Sequence, residues 1–382
     1  MSKTILYVIN VDWFFQSHFA HLANKVQKDD YEVILATEVG AATLALRAQG
    51  LRVEALPVQR RGTSPQGLMA AVEPVRNILA ERPAALLHGF GAFGIVVGTL
   101  ATRGRKNAKR VFTITGQGYS AVSREPKVRL MRFALRQFYR FGADGPSTRW
   151  LAENETDLIS LGLLPALKVG RAAIVVGAGV NLDVFAASAM PPLPPLRLAF
   201  VARLIHSKGL DVAVKAVDLA RERGCNVELT VAGSIDPGNP RSWSGEELAE
   251  LGRRPGVTVV GHVTDVAGLW RGHHVAILPS RGGEGVPKTL LEAAACGRPI
   301  LTPVVPGCVE LAKVSHGWAV PDDDPEAFAQ VIGAICQRRE ELQARGVAAR
   351  RAIVSAYSEE SVWQTIRLFY RELDTDQDRS AS

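Results

Sequence analysis

The stretch from Arg281 to Gly297, RGGEGVPKTLLEAAACG, combines residue types that bind anions with residue types that bind hydroxyl groups. Its short glycine-rich loop can approach a ligand closely, and a predicted helix follows from Val286 or Pro287. The first N–H groups of a helix lack intrahelical partners and attract phosphate. Glu292, separated from Glu284 by seven residues, falls about a turn and a half into that helix. The pattern indicates a phosphate cradle, with a plain strand-to-helix turn and two solvated glutamates as the alternative.

Two cations follow another predicted strand in the same half of the chain. The segment VARLIHSKG supplies Arg203 as a forked cation and Lys208 as a point charge. Together they suit the two phosphates of a diphosphate. An isolated pair at this spacing is ordinarily a pair of surface cations, so the inference depends on their combination with the glycine-rich loop.

The elements that must position these residues alternate between short apolar strands and helices, which predicts an α/β fold with parallel sheets. The predicted strands include Arg52–Ala55 and Arg110–Ile114, and the predicted helices include Pro65–Glu81, Gly245–Leu251, Val266–Arg271 and Pro325–Arg345. Such sheets bind ligands at the carboxyl ends of their strands, so two doubly wound Rossmann-like domains would face each other across a cleft. The Pro-rich segment 188–195 is interpreted as the linker. We therefore predict a first domain of residues 1–187 plus 357–382, whose last helix, about Ser358–Leu373, crosses back, and a second domain of residues 196–356. The tail that follows Leu373 is predicted to be disordered.

Length and charge agree with this division. A chain of 382 residues exceeds one usual core. Residues 1–190 carry 23 Lys and Arg against 14 Asp and Glu, whereas residues 191–382 carry 22 against 24. The basic first half indicates contact with phosphates, either in nucleic acid or on an anionic membrane. The four cysteines show no metal-binding spacing and are interpreted as reduced thiols of a cytosolic protein.

The second half resembles the GT-B glycosyltransferases, in particular the retaining family-4 group. The resemblance rests on a series of motifs in that family's order: VARLIHSKG, GHVTDVAGLW, LPSRGGEGVPKTLLEAAACGRPI, PGCVEL and GWAVPDDDPEAFAQVI. In the first half, NVDWFFQSH and ITGQGYS are similar to segments of transferases that act on undecaprenyl-diphosphate-linked sugars. Two doubly wound domains of the GT-B type are therefore the expected fold class.

The resemblance implies a role for each residue of the donor site. Arg203 and Lys208 would neutralise the diphosphate of a nucleotide sugar, Glu284 would contact hydroxyls of the donor sugar, and Glu292 would accept hydrogen bonds from the ribose. The remaining donor contacts would come from the chain near Val263, along the base, and from backbone N–H groups of Gly285, Val286, Thr289 and Leu290. Enzymes of this family commonly use no metal, and the D-x-D patterns at 322–324 and 374–378 are interpreted as solvated positions.

Residues of the first half are candidates for the acceptor side. His88, expected at a strand end, would bind the donor sugar or assist removal of the acceptor proton; a hydrogen-bonded structural histidine is the equal alternative. Asp12, expected in a loop after the first strand, is an alternative base. His18, at the start of the predicted helix Ser17–Gln27, and the segment with Gly116 and Gln117 would also line the acceptor side.

A second basic feature lies in REPKVRLMRFALRQFYRF, residues 124–141. Arginines recur at intervals of three and four residues beside an aliphatic and aromatic face: Arg129, Arg132, Arg136 and Arg140. This pattern is typical of a helix in a membrane interface. An amphipathic helix packed on its own domain is the alternative, and no recognised nucleic-acid module accompanies the charge.

We therefore predict a retaining, metal-independent glycosyltransferase without a cofactor. It would move a sugar from a nucleotide donor, expected to be UDP-linked, to a polyprenyl-diphosphate-linked or other membrane-associated glycan. The enzyme would be cytoplasmic and peripheral at the inner face of the membrane, with an anionic lipid surface and no nucleic acid as partner. A nucleotide-sugar epimerase and a non-catalytic sugar-nucleotide scaffold are the alternatives.

Overall fold

Two parallel β-sheets organise the chain, and helices separate most consecutive strands in both. The structure, a computed structural model, describes residues 3–58, 65–105, 107–115, 125–175, 177–236, 239, 241–282 and 285–381, with side chains for all of these except 65 and 376–381. The chain divides into two compact units. The first comprises Met1–Ala178 and Glu359–Ser382, and the second comprises Gly179–Ser358.

The first unit contains a seven-stranded sheet of order β3-β2-β1-β4-β5-β6-β7. Its strands are β1 (Lys3–Val11), β2 (Tyr31–Glu38), β3 (Arg52–Ala55), β4 (Leu86–Phe90), β5 (Arg110–Ile114), β6 (Thr148–Ala152) and β7 (Ala172–Ile174). Its helices are α1 (Asp12–Lys28), α2 (Thr43–Ala48), α3 (Pro65–Glu81), α4 (Gly91–Ala101), α5 (Pro126–Gln137, continued by a π-turn at Phe138–Ala143), α6 (Glu155–Ser160), α7 (Leu164–Lys168) and the C-terminal α15 (Glu359–Ala381).

Strand β1 lies at the centre of this sheet and explains why its apolar run is unbroken. Ile5, Tyr7 and Ile9 pack into one hydrophobic cluster together with residues of α1 and α15. Leu6 and Val8 alternate with them and pack into a second cluster together with residues of α3 and α4. A strand covered on both faces is apolar at every position.

The second unit contains a six-stranded sheet of order β10-β9-β8-β11-β12-β13. Its strands are β8 (Leu196–Val201), β9 (Val227–Ala232), β10 (Val257–Gly261), β11 (Val275–Ile277), β12 (Ile300–Pro303) and β13 (Trp318–Val320). Its helices are α8 (Leu210–Glu222), α9 (Gly245–Leu251), α10 (Val266–Arg271), α11 (Lys288–Ala295), α12 (Cys308–Val314), α13 (Pro325–Gln337) and α14 (Glu341–Ala356). The Pro-rich segment belongs to this unit, where the buried Arg298 donates hydrogen bonds to the carbonyls of Ser188 and Ala189.

The first helix corrects one prediction. Helix α1 begins at Asp12 rather than at Ser17, so Asp12 lies in the first helical turn and not in a loop, and His18 lies well inside the helix. Phe15 and Phe19 are buried, and the burial of these side chains stabilises a helix that begins directly after β1. The start was missed because the N-cap residue, Val11, makes no side-chain capping hydrogen bond.

Several elements were not predicted. Strand β6 and helices α6 and α7 are absent from the predicted series, as are α12 and β13. All of these elements are seven residues long or shorter, too short to show a clear hydrophobic period. The single helix predicted at Pro325–Arg345 is two helices, because Arg338 leaves the helical conformation at φ −121° and ψ 59°.

The C-terminal segment is ordered further than predicted. Helix α15 continues to Ala381, and Asp374, interpreted as solvated, accepts hydrogen bonds from Tyr31 at 2.7 Å and Lys109 at 2.9 Å. Lys3 adds an ion pair at 3.0 Å. These contacts attach the helix to the amino-terminal edge of the first sheet.

The cysteines correct another prediction. Cys225 and Cys336 form a disulfide with a Cα–Cα distance of 6.2 Å, so the expectation of four reduced thiols is wrong for this pair. Cys296 and Cys308 are free and buried. Within the described residues, no helix is both long enough and apolar enough to cross a membrane; the apolar segment from Ala84 to Thr102 forms β4 and α4.

Candidate functional site

The strand order of the second unit creates a crevice at one edge of its sheet. Strand β8 lies between β9 and β11, so the chain leaves β8 towards one side and continues from β11 towards the other. Open parallel sheets bind ligands at such a switch point, outside the carboxyl ends of the strands. The segment 202–209 follows β8, and residues 278–282 and 285–287 follow β11, so the predicted cations and the described residues of the glycine-rich loop lie at the same edge of the sheet.

Direct contacts hold these two segments together. The backbone N–H of Arg281 donates to the carbonyl of Ser207 at 2.8 Å. Gly209 has φ +74°, and a Cβ atom at this position would lie 1.9 Å from the carbonyl oxygen of Pro279. Glycine is therefore required where the turn before α8 passes the end of β11. The approach brings the turn that carries Lys208 against the start of the glycine-rich loop.

The two predicted cations differ in their surroundings. Arg203 exposes half of its side chain and donates one hydrogen bond, at 3.2 Å, to the buried carboxylate of Asp236. This bond orients a guanidinium group that is otherwise open to solvent. Lys208 ends the short 3-10 turn His206–Lys208 and is half-buried. The arrangement supplies one accessible fork-shaped donor and one point charge at the same edge of the sheet.

The start of helix α11 carries a buried hydroxyl group that has no partner among the described residues. Its N-cap residue, Pro287, makes no side-chain capping bond, and the Oγ1 atom of Thr289 is buried without a hydrogen-bond partner among the described residues. Buried hydroxyl groups normally have partners, so this one marks a place for a ligand. Leu290 departs from the prediction, because its N–H donates to the carbonyl of Pro287 at 3.0 Å and is already engaged within the helix.

Glu292 is a largely buried acid of this site. Its side chain is 12% exposed, and the Nζ atom of Lys288 on the same helix lies 3.8 Å from its Oε1 atom. Burial raises the pKa of Glu292 to about 7, against the opposing charge of Lys288. A carboxylate held in low dielectric with so little compensation is suited to accept hydrogen bonds from ligand hydroxyl groups.

The other predicted donor residues are placed less directly. Gly285 is buried and Val286 half-buried just before α11. Val263 is half-buried in the segment after β10, two strands away from β8 at the same edge of the sheet. Glu284 lies outside the described residues, as do Gly116 and Gln117 of the first unit.

His88 has the geometry of a structural histidine. It lies inside strand β4, not at its end, and is fully buried. Its Nδ1 atom is 2.6 Å from the hydroxyl of Tyr370, and its Nε2 atom is 2.6 Å from the hydroxyl of Thr113. Burial lowers the pKa of His88 to about 3. A neutral ring with both nitrogens engaged fastens α15 to the sheet, and this arrangement favours the structural alternative over the catalytic one.

Asp12 is also buried and engaged, at the switch point between β1 and β4 of the first sheet. Its Oδ2 atom accepts hydrogen bonds at 2.9 Å from the N–H of Gly40 and from the hydroxyl of Thr43, and its Oδ1 atom accepts from the N–H of Trp13 at 2.7 Å. These bonds join α1 to the segment after β2. His18 is partly buried in α1 and stacks on Phe14 at 4.2 Å.

Four residues that shape these sites were assigned no role from the sequence: Asp211, Asp236, Arg281 and Tyr370. Arg281 lay inside the stretch that indicated the cradle, and its charge was the available signal. The others became visible only through contacts distant in sequence. Among the described residues, no group of three His, Cys, Asp or Glu side chains is placed to hold a metal, and Asp324 caps helix α13 by accepting from the N–H of Ala327.

The basic helix α5 exposes an apolar stripe. None of the residues Pro126–Gln137 is buried. Leu130 and Phe133 of this stretch are 69% and 58% exposed, and Phe141 in the π-turn that follows is 72% exposed. Leu135 and Phe138, on another face, pack against the core. The helix is therefore attached to its own domain by one edge and presents arginines and apolar side chains together on another.

Comparison with known proteins places both halves of the chain. Residues 4–144 match the family model described as glycosyl transferase 4-like, and residues 195–338 match the model described as glycosyl transferases group 1. The chain is 33% identical over 159 residues to the colanic acid biosynthesis glycosyltransferase WcaL of Escherichia coli. The aligned region covers 38% of this chain and 37% of WcaL. The chain spans less than half the length of the first curated relatives that it matches.

A longer match reaches the N,N'-diacetylbacillosaminyl-diphospho-undecaprenol alpha-1,3-N-acetylgalactosaminyltransferase of Campylobacter jejuni. It is 24% identical over 316 residues and covers 78% of this chain and 79% of that protein. Among solved structures, Anabaena HepE in complex with UDP and glucose has a TM-score of 0.75 at 16% identity and covers 97% of this chain and all of HepE. The chain therefore belongs to the glycosyltransferases of the GT-B fold, with a glycosyl transferase 4-like domain followed by a glycosyl transferases group 1 domain.

Proposed function

We propose that this protein is a retaining glycosyltransferase that takes a sugar from a UDP-linked donor and transfers it to a lipid-linked glycan in envelope polysaccharide assembly. One observation carries the donor half of the proposal. The buried, poorly compensated carboxylate of Glu292 lies on the same helix as the hydroxyl of Thr289, which has no hydrogen-bond partner in the part of the chain that the structure describes. This helix begins at the same sheet edge as Arg203 and Lys208. This combination matches a ligand with hydroxyl groups at one end and a diphosphate beside them.

Each end of the donor has its own partners in this proposal. Glu292 accepts two hydrogen bonds from the vicinal hydroxyls of the ribose, which suit the two oxygens of a carboxylate. Arg203, Lys208 and the N–H groups at the start of α11 bind the diphosphate. Glu284 and Gly285 are proposed to contact the donor sugar, and the chain near Val263 the base.

The proposed chemical step breaks the bond between C1 of the sugar and the diphosphate oxygen while the acceptor oxygen bonds to C1 from the same face. The acceptor hydroxyl passes its proton to the departing diphosphate oxygen, so no strong protein base is required. Arg203 and Lys208 stabilise the negative charge that develops on the leaving group, and the proposal assigns this role to them without a metal. His88 is left out of the catalytic set because both of its nitrogens are engaged, and Asp12 is proposed to position α1.

Two comparisons support the identity of the substrates. HepE was solved with UDP and glucose, which supports a UDP-linked donor. The Campylobacter relative is named for an undecaprenol diphosphate acceptor, and WcaL for colanic acid biosynthesis. A polyprenyl-diphosphate-linked glycan is therefore the proposed acceptor.

Helix α5 supports a location at the surface that carries such an acceptor. Arg129, Arg132 and Arg136 follow one face of the helix, and Leu130 and Phe133 beside them are exposed. Each basic residue near an anionic bilayer contributes about 1 kcal/mol. We propose that this surface holds a cytoplasmic enzyme at the inner face of the membrane.

Turnover assays test the proposal against its alternatives. The purified protein is incubated with UDP-sugars, with and without a polyprenyl-diphosphate sugar, and the anomeric configuration of the product is read by NMR. Acceptor-dependent transfer with retained configuration is expected. Isomerisation of the donor without acceptor would identify an epimerase, and binding without turnover of any donor would identify a scaffold.

A further inference from the structure

We infer that Arg281 is a positioning residue that fixes the diphosphate cradle by joining the segments after three strands, and that it does not itself bind phosphate. The inference rests on the proposed function for the identity of the ligand. Its structural part, the connection between the segments, stands on contacts within the second unit.

The guanidinium group of Arg281 is occupied on every side. Its Nη1 atom donates to the carbonyl of His206 at 2.6 Å and to Oδ1 of Asp211 at 3.0 Å, and its Nη2 atom donates to Oδ2 of Asp211 at 2.6 Å. Its Nε and Nη2 atoms donate to Oδ1 of Asp323 at 2.9 and 2.7 Å. These partners come from the segments after β8 and β13, whereas Arg281 follows β11.

The charges of Arg281, Asp211 and Asp323 distinguish Arg281 from the proposed phosphate ligands. Two carboxylates face one guanidinium, so the cluster attracts no further anion. The hydrogen bonds that Arg281 donates to Asp211 outweigh the effect of burial and raise the pKa of Arg281. Burial acts to raise the pKa of Asp211, but the hydrogen bonds and the charge of Arg281 hold it below its usual value. Arg203, by contrast, is half exposed with one recorded carboxylate partner.

Asp211 has a second consequence for the position of the diphosphate. It lies in the first turn of α8, where the positive end of the helix dipole stabilises a carboxylate. In many doubly wound domains the helix after the first strand binds the phosphate. Here the carboxylate of Asp211, which accepts hydrogen bonds from Arg281, occupies the start of that helix. The diphosphate is therefore directed to the start of α11, beside Thr289.

Hydrogen exchange of the ligand-free protein and titrations with UDP and uridine at pH 8 test the assignment. For Arg281→Met we expect faster exchange in peptides covering 202–211, a Kd for UDP raised about tenfold or more because the cradle is displaced, and an unchanged Kd for uridine. Arg281→Lys should recover part of the UDP affinity, because one ammonium group replaces some of the five donors. Asp211→Asn provides a milder variant, with an intermediate effect expected, if Arg281→Met does not fold.

A matched control is Arg254→Met, which removes a guanidinium paired with Asp218 elsewhere in the same unit; it should behave as the wild type. Weaker UDP binding with unchanged exchange would make Arg281 a direct ligand and overturn the assignment. Equal losses for UDP and uridine would reveal a general structural role and also overturn it. If the wild type binds neither compound, the proposed function fails, and the exchange data alone decide whether Arg281 joins the segments.

Discussion

The Nζ atom of Lys288 lies 3.8 Å from Oε1 of Glu292, one turn away along helix α11. The distance is longer than a direct hydrogen bond, so the cation stabilises the buried carboxylate only in part. Burial consequently prevails and raises the pKa of Glu292 to about 7. The proposed donor site thus contains an acid that changes its charge near neutral pH until a ligand supplies hydrogen bonds to it.

Donor binding should therefore depend on pH. Ribose hydroxyls donate to the ionised form of Glu292, so affinity for a UDP-sugar should be full above about pH 7 and fall towards tenfold per pH unit below it. Titration calorimetry between pH 5.5 and 8.5 measures this, and a UDP-sugar is used because its diesterified diphosphate does not titrate in that range. Glu292→Gln should bind more weakly by about 1.5–3 kcal/mol at pH 8, with a flat profile. A flat profile for the wild type would remove Glu292 from the donor site.

The same residue should lower the stability of the ligand-free protein at high pH. The folded-state pKa of Glu292 is raised, so its contribution to stability is fully present below about pH 4.5 and is lost as pH rises to about 7. Glu292→Gln should therefore stabilise the protein at pH 8, by at most about 3 kcal/mol, and leave it nearly unchanged at pH 4.5. Urea unfolding measures the difference, with Glu250→Gln on the exposed face of α9 as the control. Equal effects at both pH values would show that burial does not perturb Glu292.

The contact between His88 and Tyr370 gives a prediction for the first unit. Tyr370→Phe leaves Nδ1 of His88 buried without its partner and should cost about 1–3 kcal/mol of unfolding free energy, with kcat unchanged. The pKa of His88 is lowered to about 3 by burial, so its stabilising contribution is present above about pH 6.5 and is lost as pH falls. His88→Gln should therefore flatten the acid limb of the stability profile. A large fall in kcat for Tyr370→Phe would restore a catalytic role for His88.

The sequence was sufficient to predict most of the fold because apolar strands and helices alternate along most of the chain, so that even short elements are located by their neighbours. Helices α3, α9 and α10 and strands β3 and β5 have the predicted bounds. Strand β6 was missed because its five residues, TRWLA, include Arg149, whose burial depends on an ion pair with Glu372 far along the chain. Such a pairing has no local signal.

The sequence predicted the residues of the candidate site that would contact a ligand. It did not predict the residues that hold the site together through contacts within the protein. Arg203, Lys208 and Glu292 stand in recognisable spacing, and the strand order brings their segments to one sheet edge. Arg281 shows the limit. From the sequence alone, an arginine next to a glycine-rich loop is as consistent with binding phosphate as with binding other parts of the protein. Only the structure shows that its guanidinium group already donates hydrogen bonds to Asp211 and Asp323.

The arginines of α5 lead to a last prediction, on membrane binding. Reversing the charges of Arg129, Arg132 and Arg136 to Glu should abolish sedimentation with liposomes that contain anionic lipid, because about 1 kcal/mol is lost with each basic residue and repulsion replaces attraction. Replacing Leu130 and Phe133 with Ser should weaken binding while keeping its salt dependence, because these exposed side chains contribute apolar area and not charge.

The control for this experiment must change the net charge by the same amount elsewhere. Arg253, Arg338 and Arg351 are exposed in the second unit, and their triple change to Glu alters the net charge equally without touching α5. If membrane association depends only on the overall charge of +7, both triple variants should lose it together. If α5 is the contact surface, the control variant should retain most of its binding, and transfer to a soluble acceptor should be unaffected in all of them. Liposome binding that survives the change at α5 would contradict the proposed surface.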